Sequence, residues 1–314
     1  MDLQRSHARR RLLDFLADCT TWSVTPYPRC EFRCVYCITR AQGVSKPLYP
    51  ADSVVRELRR ELAAVPRGDS ITLGSLSDAY PPAEERYGVT RLIVTELIAQ
   101  QRVFAIVTKG RTVCRDIDLL AGYAGRCAVQ ISLCTLDETI LRRLDPRAPS
   151  AAERLEVVRT LARAGVRVSI SAAPWIPGIS SARELLARAP RGVMVQFAPL
   201  NVEKPWVPHA FLGRRFRQDE VDRLYLRERE AVGNRRQAVW LYPVTAMPGV
   251  VRGAGHPFAP MPRVHPRRAP SSPPVRIEDP TRPVATARRR PRRPRSRGAG
   301  GARTRGRRSG GGRA

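Results

Sequence analysis

Lysine is almost missing from this chain. Only Lys46, Lys109 and Lys204 stand against 53 arginines. Aromatic residues are scarce too, at 6%, which argues against base stacking on single strands as the main activity. No apolar run approaches the roughly 18 residues a membrane span needs, so a membrane role is not expected. Acidic residues number 28 against 56 basic ones, giving a formal net charge of +28. Cysteine is present, but its count of seven is odd, and the stretch from Met1 to Arg11 is charged where a secretory leader would be apolar. A disulfide framework is therefore not expected, and the reducing cytosol is the expected compartment.

The charge is uneven. Residues 263–314 hold 17 arginines against Glu278 and Asp279, a balance of +15 that leaves +13 for residues 1–262. This tail is rich in Pro, Gly, Ser and Arg and has no apolar periodicity. It cannot bury enough surface to offset its conformational entropy and is expected to be disordered. Such a polycation binds nucleic acid through counterion release. The same Arg/Pro/Gly bias also fits GC-rich coding sequence, including a shifted reading frame, so composition leaves both readings open.

What the chain does have is Cys30-Glu31-Phe32-Arg33-Cys34-Val35-Tyr36-Cys37, three thiols at CxxxCxxC spacing. Three thiolates can hold three irons of a [4Fe–4S] cluster and leave the fourth iron open. The same thiols could bind Zn²⁺ with a fourth ligand such as His256 or His265, or be ordinary buried cysteines. No second CxxC pair exists, which counts against zinc. Cys19, Cys114, Cys127 and Cys134 are scattered.

Strand-like and helix-like segments alternate. Strands are expected at 22–25, 70–73, 103–107, 128–133, 166–172 and 193–197, with a last candidate at 239–242. Helices are expected at 51–65 (capped by Asp52 or Ser53), 90–101, 112–122, 136–144, 151–164, 181–189 and 219–232. Repeated β-then-α units predict a parallel sheet. Six strands before residue 200 are too few for a closed eight-unit barrel, so the expected class is α/β, a partial (β/α)6 TIM-like barrel with a disordered basic C-terminal tail. The expected division is an N-terminal extension at 1–19, the barrel at 20–200, C-terminal elements packing on it at 201–262, and the tail at 263–314. Ligands in such folds sit at the C-terminal ends of the strands. That rim gathers the cysteine loop, Ser75, Ser77, Asp78 and Tyr80, Lys109, Ser132, and Pro174 to Gly178.

Several rim segments carry a resemblance in the right order. They are Ser77-Asp78-Ala79-Tyr80-Pro81-Pro82-Ala83-Glu84 with Thr90-Arg91, then Val107-Thr108-Lys109-Gly110 and Arg115-Asp116-Ile117-Asp118-Leu119-Leu120. Ile131-Ser132-Leu133, Leu144-Asp145-Pro146-Arg147-Ala148-Pro149, Arg154-Leu155, Ala164-Gly165-Val166 and Ala173-Pro174-Trp175-Ile176-Pro177-Gly178-Ile179 follow. Together with the cysteine triplet, these resemble the spore photoproduct lyase-like branch of the radical SAM superfamily, often labelled DNA repair photolyases. The resemblance covers about 22–200.

It implies a [4Fe–4S] cluster on Cys30, Cys34 and Cys37, whose free iron chelates S-adenosylmethionine (SAM). It implies that Lys109, a compact point charge, meets the SAM carboxylate, and that Ser77 and Asp78 accept from its ammonium. Asp78 could equally cap a turn. Ser132 would reach the ribose, Tyr36 would pack over the cluster or adenine, and Gly178 would let the backbone approach adenine. Reductive cleavage of SAM then gives a 5′-deoxyadenosyl radical that abstracts hydrogen from a substrate, with a flavodoxin- or ferredoxin-like protein as electron donor.

The chain departs from that branch at one point. Spore photoproduct lyase keeps a hydrogen-donor cysteine at the end of the second strand, where this chain has Ser75. A serine O–H is too strong to serve, and Cys134 is the nearest substitute by sequence. Three readings follow: a lyase-like radical enzyme acting on DNA or RNA, radical modification of a peptide or small metabolite, and a non-enzymatic Fe–S protein that binds nucleic acid. Trp175, Trp206 and Trp240 are candidate stackers or core residues.

Overall fold

The structure is a computed structural model that describes residues 11–16, 21–37, 42–203 and 212–241. The basic tail, Cys19, His256, His265, Trp206 and Tyr242 lie outside the described residues. The elements run β1 (Leu13–Leu16), β2 (Thr21–Val24), α1 (Ala51–Leu62), β3 (Ile71–Leu73), α2 (Ala83–Tyr87), α3 (Val89–Ala99), β4 (Phe104–Thr108), a 3-10 turn (Arg111–Asp116) and α4 (Ile117–Gly122). They continue with β5 (Cys127–Ser132), α5 (Glu138–Leu144), α6 (Ala151–Arg163), β6 (Val168–Trp175), α7 (Ala182–Arg188), β7 (Met194–Pro199), α8 (Gln218–Val232) and β8 (Ala238–Trp240).

The strands form one open sheet in the order β1-β2-β3-β4-β5-β6-β7-β8. From β2 to β8 every neighbouring pair is parallel; β1 alone is antiparallel to its neighbour. All six expected strands and the candidate eighth are present. The surprise is β1, which lies in a stretch expected to be a mere extension. It was hidden because four residues give almost no periodic signal; Glu61 Oε2 on α1 accepts the N–H groups of both Leu12 and Leu13 and holds the strand's entry.

Parallel strands covered on both faces usually read as continuous apolar runs. Here β4 does, but β2, β5, β6 and β7 alternate. The register puts Ser23 beside Thr72, Gln130 beside Ser169, Ser132 beside Ser171 and Ser171 beside Gln196, all on one face. The other face carries Val24, Leu73, Ile106, Val129, Ile131, Ile170, Val195 and Phe197, all buried. These pack with Leu58, Ile93, Leu97, Val158 and Leu161 from the helices into one core. The helices therefore cover the apolar face, and the small and polar face is left for the inside of the curved sheet.

Helix ends differ in part from expectation. The N-cap of α1 is Pro50, with no side-chain cap; Ser53 Oγ instead donates to Pro50 O, and Asp52 sits in the first turn. The helix α6 begins on a reciprocal box between Ser150 and Glu153. Among the described residues no helix is long and apolar enough to cross a membrane.

Candidate functional site

The cysteine loop leaves the end of β2 and is held by the chain that follows it. Gly43 N–H donates to Cys30 O at 3.1 Å, and Gln42 Nε2 donates to Cys34 O at 2.9 Å. Cys37 N–H donates to Cys34 O at 3.2 Å. Arg33 takes a left-handed φ of 55°, which turns the chain between the first two cysteines. Cys34 is buried, while Cys30 and Cys37 are half-buried. Burial, reinforced by the Asp78 charge, pushes the Cys30 thiol up to about 12. Burial also pushes Cys34 well above the ordinary thiol range. Metal uptake at such thiols must therefore release protons. Among the described residues no three His, Cys, Asp or Glu side chains are grouped as ligands of a single ion. A four-iron cluster sets its thiolates on separate irons, farther apart than the ligands of one ion.

The loops after β3 and β4 are locked together. A Cβ on Gly74, whose φ is +92°, would lie 2.0 Å from Val107 O, and one on Gly110 would lie 2.1 Å from Tyr80 O. Only glycine allows the two backbones to touch there. Asp78 bridges the same loops: its carboxylate accepts from Thr108 Oγ1 at 2.5 Å, Tyr80 N–H at 2.9 Å and Lys109 N–H at 2.8 Å. Burial raises the Asp78 carboxyl and these three bonds oppose it. Asp78 thus caps the turn at Tyr80, with two hydrogen bonds on Oδ1 and one on Oδ2.

Beneath this joint lies a second lock. Each oxygen of the buried carboxylates of Glu84 and Asp116 accepts two hydrogen bonds. The donors are Tyr27, Tyr80, Arg91, Arg115 and two backbone N–H groups. The network ties the strand-end loops after β2, β3 and β4 to α3.

Ser77 Oγ is buried and has no hydrogen-bond partner. The lone pairs of that hydroxyl are an orphaned acceptor that an ammonium group would satisfy. Lys109 Nζ lies 5.5 Å from the centre of the Tyr36 ring. Burial opposes its charge, but Cys34, Asp145 and Asp78 raise its pKa and keep it a cation. Ser75 Oγ, where the branch's hydrogen-donor thiol would stand, shares a hydrogen bond with Ser23 Oγ at 2.5 Å. Gly178 has a φ of +72°, with open space where a side chain would be. With Trp175 and Pro177 it lines a cavity of about 660 Å³ against α7 and α8. Ser132, at the end of β5, gives its carbonyl to Arg154.

The surroundings of Cys134 and of two tryptophans are also defined. Cys134 is 2% exposed and belongs to the core; it lies beside Tyr36 and Asp145, and burial pushes its thiol up to about 12. Trp175 and Trp240 pack on Tyr225 at ring distances of 5.6 and 5.3 Å, as core aromatics and not as base stackers.

Sequence reasoning gave no role to Asp145 and Arg154, which are both fully buried and paired at 2.7 Å. The signal was there: Ala151, Arg154, Leu155, Val158 and Leu161 fall on one helical stripe, so an arginine occupies an apolar face.

The residues present fit a cluster and SAM. Three thiols share one loop, an orphaned hydroxyl stands on the next strand end, and a buried cation lies beside the middle thiol.

Known proteins bear on this arrangement. Protein ORF301 of Acidianus two-tailed virus is 30% identical over 138 residues, 44% of this chain and 45% of that protein. An uncharacterized protein of Mycobacterium tuberculosis is 28% identical over 178 residues, 52% of each. The chain spans about half the length of the curated relatives it matches. Among solved structures, a spore photoproduct lyase variant with bound AdoMet and dinucleoside spore photoproduct superposes with a TM-score of 0.55 at 14% identity, over 75% of this chain and 80% of that one. Streptococcus suis SuiB bound to S-adenosylmethionine gives a TM-score of 0.53 at 15% identity, over 70% of this chain and 49% of that one. At that identity these likenesses establish the fold. The model of the Radical SAM superfamily matches residues 24–187, and with more than half of its length so matched this chain belongs to the radical SAM superfamily.

Proposed function

We propose that the chain is an enzyme that cleaves SAM reductively at a [4Fe–4S] cluster held by Cys30, Cys34 and Cys37, and that its substrate is a nucleic acid. When bound, the reduced cluster supplies one electron to the SAM sulfonium, and cleavage yields a 5′-deoxyadenosyl radical that takes a hydrogen atom from the substrate. The chain's own residues hold and shield. Lys109 offers its ammonium to the methionyl carboxylate. Ser77 Oγ and the Asp78 carboxylate accept from the SAM ammonium, and Asp78 also fixes the loop that carries Lys109. The Gly74 and Gly110 contacts keep the two rim loops at one spacing, so both SAM contacts move together or not at all. The electron comes from a flavodoxin- or ferredoxin-like donor.

The observation that carries this reading is the buried, partnerless Ser77 Oγ on the strand end next to the cysteine loop. The nucleic-acid substrate is supported by the +13 charge of residues 1–262 and by the fold likeness to a lyase holding a dinucleoside photoproduct. The bonded pair Ser75–Ser23 speaks against photoproduct reversal by a rim thiol. A peptide substrate is the second reading, supported by the fold likeness to SuiB bound to its precursor peptide, TM-score 0.51. Anaerobic cluster reconstitution followed by SAM and dithionite tests the chemistry. Formation of 5′-deoxyadenosine is expected; an intact cluster that yields none would leave only the binding-protein reading. Faster 5′-deoxyadenosine formation with oligonucleotide than with peptide separates the two substrates.

A further inference from the structure

The linker between α5 and α6, residues 145–150, lies against the cysteine loop. Val35 N–H donates to Leu144 O at 2.9 Å, and Arg147 N–H donates to Phe32 O at 3.3 Å. These two bonds bracket Cys34. The linker in turn is gripped by one side chain. Arg154 Nε donates to Pro149 O at 2.7 Å, and Nη1 donates to Ser132 O at 3.0 Å and to Asp145 Oδ2 at 2.7 Å. One guanidinium therefore joins the end of β5, the linker and Asp145, and through the linker it reaches the loop that carries the cluster ligands.

The Asp145 carboxylate lies beside Cys34 and Tyr36. Its Oδ1 and the Nη2 of Arg154 are buried without hydrogen-bond partners. An unsatisfied buried polar atom costs stability, and two in one pair are a poor way to build a core. An apolar pair would serve packing better. The Asp145 carboxylate is held as the acidic half of a buried ion pair, its Oδ2 at 2.7 Å from Arg154 Nη1. The pair is thus a fixed dipole with its negative end toward Cys34.

We propose that Asp145, oriented by Arg154, is a positioning residue for the cluster: it sets the Cys34 branch of the loop and places a negative charge beside the Cys34 sulfur that makes the reduced cluster a stronger electron donor. The proposal rests on the cluster assignment above. Net charge and hydrogen bonds around the sulfurs set the potential of an iron–sulfur cluster, and groups one shell out from a ligand tune it. A negative charge there disfavours the extra electron and drives the potential down, which is what reduction of a sulfonium demands. Lys109 offsets part of this effect from the cofactor side.

The test is an EPR-monitored redox titration of the reconstituted full chain without SAM, on wild type, Asp145→Asn, Asp145→Glu and Arg154→Lys. Asp145→Asn is expected to take up the cluster with its midpoint shifted positive, and Asp145→Glu to return most of the way to wild type. If Asp145→Asn loses the cluster while its chain still melts cooperatively, and Asp145→Glu restores it, the positioning role is supported by occupancy. If Asp145→Asn does not fold, Arg154→Lys keeps the charge but loses the fork, and a changed midpoint or EPR line shape supports the proposal. Unchanged occupancy, line shape and midpoint in every variant that folds would overturn it. A wild type that takes up no cluster overturns the cluster assignment and this proposal with it; a loaded wild type with unshifted variants overturns this proposal alone.

Discussion

The Glu84–Asp116 network and the Asp145–Arg154 pair are both buried ionic groups, yet their hydrogen bonds are distributed in opposite ways. In the first, four carboxylate oxygens share eight hydrogen bonds with no atom left over. In the second, one oxygen is bonded and the other is bare, and an arginine nitrogen is bare as well. Complete networks rigidify; incomplete ones cost stability and persist where something besides stability is selected. The complete network underlies the loops, and the incomplete pair lies beside a cofactor ligand. Ser77, the other orphan of the rim, follows the same pattern.

That contrast can be broken by experiment. The largest effect belongs to Cys34→Ala, which should abolish cluster uptake and 5′-deoxyadenosine formation while the chain still melts cooperatively; iron and sulfide analysis reads the first and chromatography the second. Glu84→Gln comes next. It puts an amide where the Arg115 guanidinium, the Tyr27 hydroxyl and the Thr90 and Arg91 backbone N–H groups all donate, so about 3–5 kcal/mol of stability should be lost, roughly ten degrees of melting temperature. A loss below about 1 kcal/mol would show that the complete network is not the scaffold.

Ser77→Ala should do the reverse. Its hydroxyl has no partner to lose, so the melting temperature should hold or rise, while SAM binding weakens roughly tenfold, the worth of one hydrogen bond to a charged group. Equal binding by calorimetry would remove Ser77 from the site. The smallest effect is the pH dependence of the cluster-free chain. The folded-state pKa of Asp145 is depressed. Its contribution is therefore present above the unfolded value of roughly 3.9 and is lost as pH falls through the lower folded value. Melting temperature should fall with pH below about 4, less steeply in Asp145→Asn. Identical slopes would mean that the pair is not held ionised.

Much of the site was legible because it is local. The cysteine triplet, Ser77 and Lys109 each sit just past a strand, and strand ends can be read from apolar runs such as Phe104 to Val107. The Asp78 carboxylate was harder: its three donors come partly from Thr108 and Lys109, thirty residues on, and no pattern in sequence shows that they converge. The burial of Cys134 was hidden for the same reason, since closeness in sequence to Ser132 said nothing of its packing. Asp145 and Arg154 stood in plain view as matched segments, but a buried charge pair announces itself only when the helix face and the linker are seen together. The alternation of Ser and Gln along β5 to β7 was likewise present, and its meaning came from the register that set those residues on one face.

Strand β1 decides how this chain can be cut. It lies before the family-matched segment 24–187, yet it covers the outer edge of β2. A chain cut only at the start of that segment, with everything after residue 24 kept, would lose β1 and nearly all of β2. It would present β3, three buried residues of which Ile71 and Leu73 are apolar, as an open edge with a row of free backbone groups, a template for pairing between chains. Insolubility of such a fragment would therefore say nothing about the site's chemistry; it would report the loss of the two strands, β1 and β2, that cover the edge of β3.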